Sequence, residues 1–249
     1  MHVDQIALQL YTVRTLTAVD LAGTLRAVAA AGYRAVELAG LPETRPGELA
    51  ALLTELELQV VASHEGIETL RDDADAVADR LVELNCPRVI VPWMPESERR
   101  TADDVRRFAE ALGGFSRRLA KRGIGLGYHN HAFEFAPLGD TTVWEVLLAE
   151  LSPEIELELD VYWVSVAGRD PVEEIIATAK RLRLIHIKDR AQGKEPHDAP
   201  AGEGILPFPE IIIEAQAAGV EWYVVEQDEP REPLEDVSRS YRYLESLAG

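Results

Sequence analysis

The sequence predicts a single (β/α)₈ barrel that spans residues 1–249, and two observations support this prediction. Short runs rich in Val and Ile alternate with Ala- and Leu-rich stretches of helical spacing, and the alternation occurs eight times. Strict alternation implies parallel strands joined by right-handed crossovers. The length of 249 residues also suits eight strand–helix units in one α/β barrel.

The eight units cover the whole chain. The strands are predicted to begin near Val3, Arg34, Gln59, Arg88, Gly123, Ile155, Arg183 and Trp222. The helices are predicted at 17–31, 44–56, 69–84, 98–121, 140–150, 170–181, 207–218 and 233–247. Gly32, Gly123 and Gly219 each follow a helical stretch and precede a strand, as helix-terminating glycines do. The longest segment without a predicted element, 189–206, has a length typical of functional loops.

A doubly wound open sheet is the alternative arrangement of the same elements. It requires a glycine-rich phosphate-binding turn after an early strand. The segment LQLYTVR at 8–14, which includes the end of the first strand and the residues after it, contains no glycine. The barrel is therefore favoured.

The composition excludes several functional classes. The chain has 25 Lys and Arg against 44 Asp and Glu, and its net charge is −19. We therefore expect no binding to nucleic acid or to an anionic membrane, because both need a basic face. Cys86 is the one cysteine, which excludes an internal disulfide and a Cys-rich zinc module. No run of 18 apolar residues is present, and we expect a cytoplasmic protein without a signal peptide.

Acidic residues alternate with apolar ones in the sixth predicted strand. In IELELDV at 155–161, the acidic residues are Glu156, Glu158 and Asp160. Side chains alternate between the two faces of a strand, and the apolar face has to meet the helices. The acidic face therefore points into the barrel, where carboxylates are costly to bury unless they are paired, protonated or bound to a metal. Asp160 lies at the C-terminal end, where barrel enzymes place their chemistry.

Other strands also end in polar residues. Four of the six histidines lie at predicted strand ends, together with three carboxylates, and these residues are His64, His129, His131, His186, Asp160, Glu226 and Glu37. A single histidine at such a position is more often a hydrogen-bonded core residue, but this concentration favours a site. Imidazole and carboxylate ligands from separate strands suit zinc, manganese or a similar divalent ion.

Six segments show a resemblance to a known family: QLYTVR at 9–14, AAGYRAVEL at 30–38, YHNHAFEF at 128–135, ELDVYWVSVAG at 158–168, HIKD at 186–189 and GEGILPF at 202–208. In this order they resemble the sugar phosphate isomerase/epimerase superfamily of xylose-isomerase-like barrels. That superfamily includes inosose dehydratases, hydroxypyruvate isomerases and keto-sugar 3-epimerases, with endonuclease IV as a distant relative. The resemblance covers nearly the whole chain and is specific for the superfamily rather than for one substrate.

The resemblance implies one divalent ion, Mn, Zn, Mg or Co, at the ends of strands five to eight. The usual ligands are Glu, Asp, His and Glu, and the last three match Asp160, His186 and Glu226. His129 stands at the position of the first glutamate and is the predicted fourth metal ligand. In relatives the two glutamates also form the acid/base pair, so His129 is a departure. Glu134 is the alternative source of the missing carboxylate, unless it is a surface or ion-paired residue.

The implied chemistry is that of an isomerase or epimerase acting on a sugar, keto-sugar or polyol. A base removes a proton next to a carbonyl, and the reaction passes through an enediolate. Loss of a β-hydroxyl from a keto-sugar or inosose would instead make the protein a dehydratase or lyase. The predicted catalytic residues are Glu226, Glu134 and Lys188, although Lys188 has an alternative role as an ion-pair partner of Asp160 or Glu158.

Substrate contacts are predicted for Glu37, His64, His131 and Trp163, with Trp93 as a further aromatic wall. The GEGILPF segment precedes a helix and has the composition of a phosphate-binding turn, but Glu203 within it favours a plain turn. We therefore expect a substrate without phosphate.

Two further functional classes stay open. A nuclease of the endonuclease IV type would need more metal ligands and a basic face. A sugar-binding barrel without catalytic activity is supported by the departure at His129. The sequence leaves the oligomeric state open, including a homodimer.

Overall fold

Eight parallel strands close into a barrel in the computed structural model, which describes residues 1–193 and 195–249. The strands are β1 (Ile6–Gln9), β2 (Ala35–Leu38), β3 (Gln59–His64), β4 (Arg88–Val91), β5 (Gly125–His129), β6 (Glu156–Asp160), β7 (Leu182–Ile187) and β8 (Trp222–Val225). Each strand pairs with its neighbours in sequence, and β8 pairs with β1. The predicted (β/α)₈ barrel is confirmed.

The main helices connect successive strands on the outside of the barrel. They are α1 (Leu21–Ala30), α2 (Pro46–Glu55), α3 (Ile67–Glu83), α4 (Ala102–Leu119), α5 (Val143–Glu150), α6 (Pro171–Thr178), α7 (Phe208–Ala217) and α8 (Pro233–Leu247). Local sequence sets several of their starts. Thr101 and Asp104 form a reciprocal capping box at α4, and Pro171 occupies the first turn of α6 after the capping Asp170. Among the described residues, no helix combines the length and the apolar character that a membrane crossing requires.

The core has two parts because strand side chains alternate between the helices and the barrel interior. The larger part lies between strands and helices, and the interior holds a smaller set: Ala7, Ala35, Val61, Ala62, Ile90, Leu184 and Val224. Gly127 on β5 makes room for this set, since a Cβ there would lie 2.6 Å from the Cδ1 of Ile90. Above this layer, toward the carboxyl ends of the strands, the inward residues are polar.

The structure differs from the sequence predictions in local detail. β1 begins at Ile6, after a 3₁₀ turn over Val3–Gln5. The loop predicted at 189–206 contains an antiparallel pair, Asp189–Arg190 with Asp198–Ala199. An unpredicted short helix, Val161–Val166, follows β6 directly and is capped by the Asp160 carboxylate. This capping aligns Asp160 at the mouth of the barrel.

Candidate metal and substrate site

Three of the predicted metal ligands converge at the carboxyl end of the barrel. Asp160 ends β6, His186 lies on β7, and Glu226 follows β8 directly. Their ligand atoms lie within 4.8 Å of one another, and all three side chains are buried. The Nδ1 of His186 is 2.9 Å from the Oε2 of Glu226. These three residues are called the outer set below.

A second group lies on the floor of the site, around Glu158, which is two residues before Asp160 on the same face of β6. Three ring nitrogens surround its Oε2 atom: His64 Nε2 at 2.7 Å, His129 Nδ1 at 2.9 Å and His186 Nε2 at 3.2 Å. The four ligand atoms again lie within 4.8 Å of one another. His64, His129, Glu158 and His186 are called the inner set.

His129, the predicted fourth ligand, lies between the two sets. Its Nδ1 contacts Glu158 in the inner set, whereas its Nε2 is 3.8 Å from the Oδ2 of Asp160 in the outer set. Burial is the largest influence on this ring and lowers the pKa of His129 to about 4. The ring is therefore neutral at physiological pH, and one of its nitrogens has a lone pair to offer.

Glu37 and His64 are both predicted to bind substrate; Glu37 contacts the inner set, and His64 belongs to it. The fully buried Glu37 Oε2 accepts hydrogen bonds from Gln9 Nε2 at 2.9 Å and His186 Nε2 at 2.8 Å. Burial lowers the pKa of His64, but Glu37 and Glu158 outweigh it and raise the pKa to about 10. His64 still borders the pocket, whereas Glu37 lies beneath it.

Lys188 extends into the outer set, and 1% of its side chain is exposed. Its Nζ lies 2.8 Å from Glu226 Oε2, 2.9 Å from Asp228 Oδ2 and 3.1 Å from Asp160 Oδ2. Burial lowers its pKa, but these carboxylates outweigh burial and raise the pKa of Lys188 well above its usual value. Lys188 is therefore an ammonium ion, and its predicted ion pair forms with Asp160 and not with Glu158.

Above both sets opens a cavity of about 480 Å³. Its polar floor includes His64, His129, Lys188, Glu226 and Asp228, and its walls include Tyr11, Trp93, His131 and Trp163. The His131 ring lies 5.4 Å from the Trp163 ring and stacks on Phe133 at 5.5 Å. Trp93 is 49% exposed at the rim. Polar groups below and aromatic faces beside them match the two kinds of surface that a sugar ring presents.

Glu134, the predicted catalytic residue and alternative ligand, is not among the residues that line this cavity. Its carboxyl group accepts hydrogen bonds from the Tyr128 hydroxyl at 2.6 Å and the His131 backbone N–H at 2.8 Å. Tyr128 is on the outward face of β5, against Phe108. The 3₁₀ turn Phe133–Phe135 carries Glu134 back toward that face, and burial raises its pKa to about 8.

Three further residues shape this region and are absent from the predicted site residues. Asp228 lies two residues after Glu226 and reaches the same pocket, so its closeness in sequence to a predicted ligand is the signal that could have identified it. For Glu158, the sequence predicts an inward position and an alternative ion pair with Lys188, but not the contacts with three histidines. Asp189 accepts hydrogen bonds from the backbone N–H groups of Gly202, Gly204 and Leu206 at 2.8–3.1 Å. These donors of the GEGILPF segment therefore already bind a carboxylate of the chain itself.

The donor set fits a divalent cation. Five carboxylates surround the floor, with Lys188 as the permanently charged cation among them: Glu37, Glu158, Asp160, Glu226 and Asp228. Among the described residues, the buried oxygens Glu37 Oε1, Glu158 Oε1 and Asp160 Oδ2 have no hydrogen-bond partner. The Asp160 Oδ2 atom is within ion-pair distance of Lys188 but lacks hydrogen-bond geometry. Imidazole nitrogens and carboxylate oxygens together suit zinc, manganese or cobalt.

Comparisons with known proteins agree with this architecture. A family model described as a xylose isomerase-like TIM barrel matches residues 25–247. A sugar phosphate isomerase/epimerase structure from Parabacteroides distasonis is 24% identical, with a TM-score of 0.85, and the match covers 99% of this chain and 95% of that one. No curated protein matches the sequence.

Two more distant structures share the fold. The probable 3-DHS dehydratase AsbF from Bacillus anthracis is 13% identical, with a TM-score of 0.75 over 96% of this chain and 98% of that one. The IolI protein, whose structure contains a zinc atom, is 13% identical, with a TM-score of 0.76 over 98% of this chain and 97% of that one.

Proposed function

This chain belongs to the xylose isomerase-like TIM barrel family, and we propose that it is a divalent-metal-dependent isomerase of an unphosphorylated sugar, keto-sugar or polyol. One observation carries the proposal. Asp160, His186 and Glu226 converge at the floor of a sugar-sized cavity, beside the buried Lys188 ammonium group. The zinc atom described for IolI supports a metal in this family, although that protein is distant in sequence.

The residues that would hold the ion are the outer set and the Nε2 atom of His129. This ligand set has two carboxylates and two imidazoles. When bound there, a divalent ion supplies a Lewis acid for a carbonyl or hydroxyl oxygen of the substrate.

Glu226 is the proposed base. Burial raises its pKa, but Lys188 and His186 outweigh burial and hold the pKa of Glu226 well below its usual value. The carboxylate is therefore ionised and borders the cavity, where it can take a proton from the carbon next to the carbonyl. Lys188 and Asp228 lie beside it, so the ammonium group stabilises negative charge on a substrate oxygen and Asp228 accepts a substrate hydroxyl.

The arrangement favours isomerisation over epimerisation. In isomerisation, Glu226 returns the carbon-bound proton to the neighbouring carbon on the same face, and the proton of the neighbouring hydroxyl passes to the former carbonyl oxygen. One base therefore serves both carbons. Epimerisation requires a proton donor on the opposite face, and Glu134 does not reach the cavity. His131 borders the cavity, but burial lowers its pKa to about 2, so it carries no acidic proton of an imidazolium at physiological pH.

A substrate without phosphate is supported by the charges of the cavity. Among the described residues that line it, Lys188 is the one Lys or Arg, and three carboxylates already surround it. A phosphate dianion would meet Glu226 and Asp228 without an unpaired lysine or arginine side chain to offset them. The glycine-rich turn offers no replacement, because Asp189 occupies its N–H groups.

Dehydration of a keto-sugar is the second candidate, and Lys188 is the observation that favours it. Loss of a β-hydroxyl needs a base and an acid on one substrate. The Lys188 Nζ lies 2.8 Å from Glu226 Oε2, so a proton donor and a base stand side by side.

The test is hydrogen exchange. The protein, loaded with Mn²⁺, Co²⁺ or Zn²⁺, is incubated in D₂O with a panel of ketoses, aldoses and keto-inositols, and the products are followed by NMR. We expect deuterium next to the carbonyl and an isomerised product, or a dehydrated one for the second candidate. The Glu226→Gln variant should lose roughly 10²–10⁴-fold in rate.

Glu229→Gln is the matched control, because Glu229 lies in the same loop but is exposed. It should retain the wild-type rate. Sugar binding without exchange or product for any member of the panel would contradict the proposal and identify a sugar-binding barrel. Faster turnover of a phosphorylated substrate than of its unphosphorylated counterpart would overturn the assignment of the substrate class.

A further inference from the structure

The inner set has a feature that substrate binding does not explain. Three imidazole nitrogens, from histidines on β3, β5 and β7, lie 2.7–3.2 Å from one oxygen atom, Glu158 Oε2. Glu158 is completely buried, and its other oxygen has no partner among the described residues. A neutral imidazole carries its hydrogen on one ring nitrogen and a lone pair on the other. A hydrogen-bond acceptor beside one nitrogen keeps the hydrogen on that nitrogen.

Glu158 contacts one ring nitrogen of His129 and one of His186. The other nitrogen of each ring lies toward a carboxylate of the outer set. The Nδ1–H of His129 donates to Glu158, which leaves the lone pair of its Nε2 toward Asp160. His186 uses the opposite nitrogens. Its Nε2 faces Glu37 and Glu158, and its Nδ1 lies 2.9 Å from Glu226.

The two sets cannot each bind one ion with the rings in their ordinary protonation states. A ring nitrogen that donates its hydrogen to Glu158 has no lone pair for a metal. An ion in each set would require His186 to lose both ring hydrogens. The inner set is therefore either a metal site itself, or its carboxylate accepts the hydrogen bonds that orient the histidines for a metal in the outer set.

We propose that Glu158 is a positioning residue, which fixes the Nε2 of His129 and the Nδ1 of His186 as the atoms that face the divalent ion. This inference rests on the metal site of the proposed function. Carboxylates that accept the second N–H of a metal-bound histidine are a general device for fixing the orientation and tautomer of the ring. Here one carboxylate contacts two rings, and the shorter hydrogen bond of His186 Nε2, at 2.8 Å, goes to Glu37.

His64 completes the arrangement without taking part in the ion's coordination. Its Nε2 lies 2.7 Å from the shared oxygen, and its ring stacks on that of His186 at 5.6 Å between centroids. The Lys188 ammonium group is placed among the carboxylates of the outer set instead. The inner carboxylates are thus paired with imidazoles, and the outer ones with a cation that an incoming ion can displace.

The test uses four variants and two readouts. Glu158→Leu removes the acceptor, Glu158→Gln keeps an acceptor oxygen, and His64→Ala removes a residue of the inner set alone. Glu156→Gln is the matched control, because Glu156 lies on the same face of β6 at the other end of the barrel and pairs with Arg88. The readouts are the ring tautomers, from ¹⁵N-histidine NMR of the metal-free protein, and Zn²⁺ affinity, from competition with a chelator.

We expect His129 to be the Nδ1–H tautomer in the wild type and to lose this state in Glu158→Leu. Zn²⁺ affinity should fall about 10- to 100-fold in Glu158→Leu, less in Glu158→Gln, and less than about threefold in His64→Ala and Glu156→Gln. Circular dichroism checks that each variant is folded. If Glu158→Leu does not fold, the tautomer of the wild type and the graded effect of Glu158→Gln still decide the question.

Three results would overturn the inference. The first is an Nε2–H tautomer of His129 in the wild type, and the second is unchanged Zn²⁺ affinity in Glu158→Leu. The third is loss of zinc from His64→Ala as complete as from Glu158→Leu, because the inner set would then be the metal site. The tautomer readout needs neither metal nor substrate, so absence of sugar turnover contradicts the proposed function without contradicting this inference.

Discussion

The two ends of the barrel interior bury charge in different ways. At the amino ends of the strands, Arg88 of β4 meets Glu221 at 2.6 Å and Glu156 at 3.5 Å. At the carboxyl ends, the carboxylates meet imidazoles and one lysine. β6 contributes to both ends, with Glu156 at one and Asp160 at the other. The same strand pattern therefore produces two different electrostatic environments.

The difference lies in the balance of fixed charges. Arginine keeps its charge in proteins, and Glu156 and Glu221 are 25% and 45% exposed, so water and Arg88 together stabilise that end. The other end has five buried or half-buried carboxylates, of which three contact Lys188, and it depends on imidazoles for the remaining charge. A ring nitrogen of histidine can bind a metal ion after it has lost its proton. We therefore expect the first end to serve stability and the second to serve the proposed cation-dependent function.

The largest effect is expected at Lys188. In Lys188→Met, the carboxylates of Asp160, Glu226 and Asp228 lose their ammonium partner in a buried site. Removal of one partner from a buried ion pair costs about 3–5 kcal/mol, so the free energy of unfolding of the metal-free variant should fall by that amount. Urea denaturation followed by circular dichroism measures it.

Metal should rescue this variant more than it stabilises the wild type. Without the ammonium group, the carboxylates are free to bind an ion, and ligands that bind the folded state raise stability by mass action. Lys180→Met, at an exposed position, is the control and should match the wild type. An equal metal-induced rise in melting temperature in Lys188→Met and in the wild type would show that Lys188 does not compete with the ion.

A smaller effect, confined to stability, is expected at the other end. In Arg88→Met, the partly exposed Glu221 can turn to water, whereas Glu156 loses its nearest cation. The free energy of unfolding should fall by about 1–3 kcal/mol. Zn²⁺ affinity should stay within about twofold of the wild type, because Arg88 contacts neither set. A weakening of metal binding comparable to that in Glu158→Leu would show that the two ends are coupled.

Much of this layout follows from sequence periodicity. Alternation of apolar and acidic residues placed Asp160 inside the barrel, and a position near a strand end placed His186 and Glu226 at the same rim. The structure brings these three together. The rule holds because β-strand geometry is regular, so the direction of a side chain follows from its position in the strand.

Periodicity does not extend past the end of a strand, and it does not describe contacts between strands. Glu134 lies five residues after the end of β5, in a 3₁₀ turn that reverses its direction. The roles of Glu158 and Glu37 depend on rings contributed by other strands. Which nitrogen a histidine presents depends on these long-range contacts and not on the residues beside it in sequence.

Glu134 is a third kind of buried carboxyl group, because its hydrogen-bond partners are a hydroxyl and a backbone N–H and not a cation or an imidazole. Burial raises its pKa from 4.5 to about 8. The folded protein therefore holds this proton more tightly than the unfolded chain does. The resulting stabilisation is complete below about pH 4.5 and is lost as the pH rises through about 8.

Glu134→Gln should remove this pH dependence, which gives the smallest of the three expected effects. Its amide oxygen can accept from the His131 N–H, and its NH₂ group faces the Tyr128 hydroxyl, which donates to the carboxyl group in the wild type. Between pH 7 and pH 9, the wild type should lose about 1 kcal/mol of unfolding free energy through Glu134, and the variant should not. Urea denaturation at both pH values measures the difference, with Glu110→Gln on the exposed face of α4 as the control for removing one charge. Parallel pH profiles of Glu134→Gln and the wild type would mean that Glu134 is ionised throughout this range, and that buried carboxyls of this barrel do not need a cation to keep their charge.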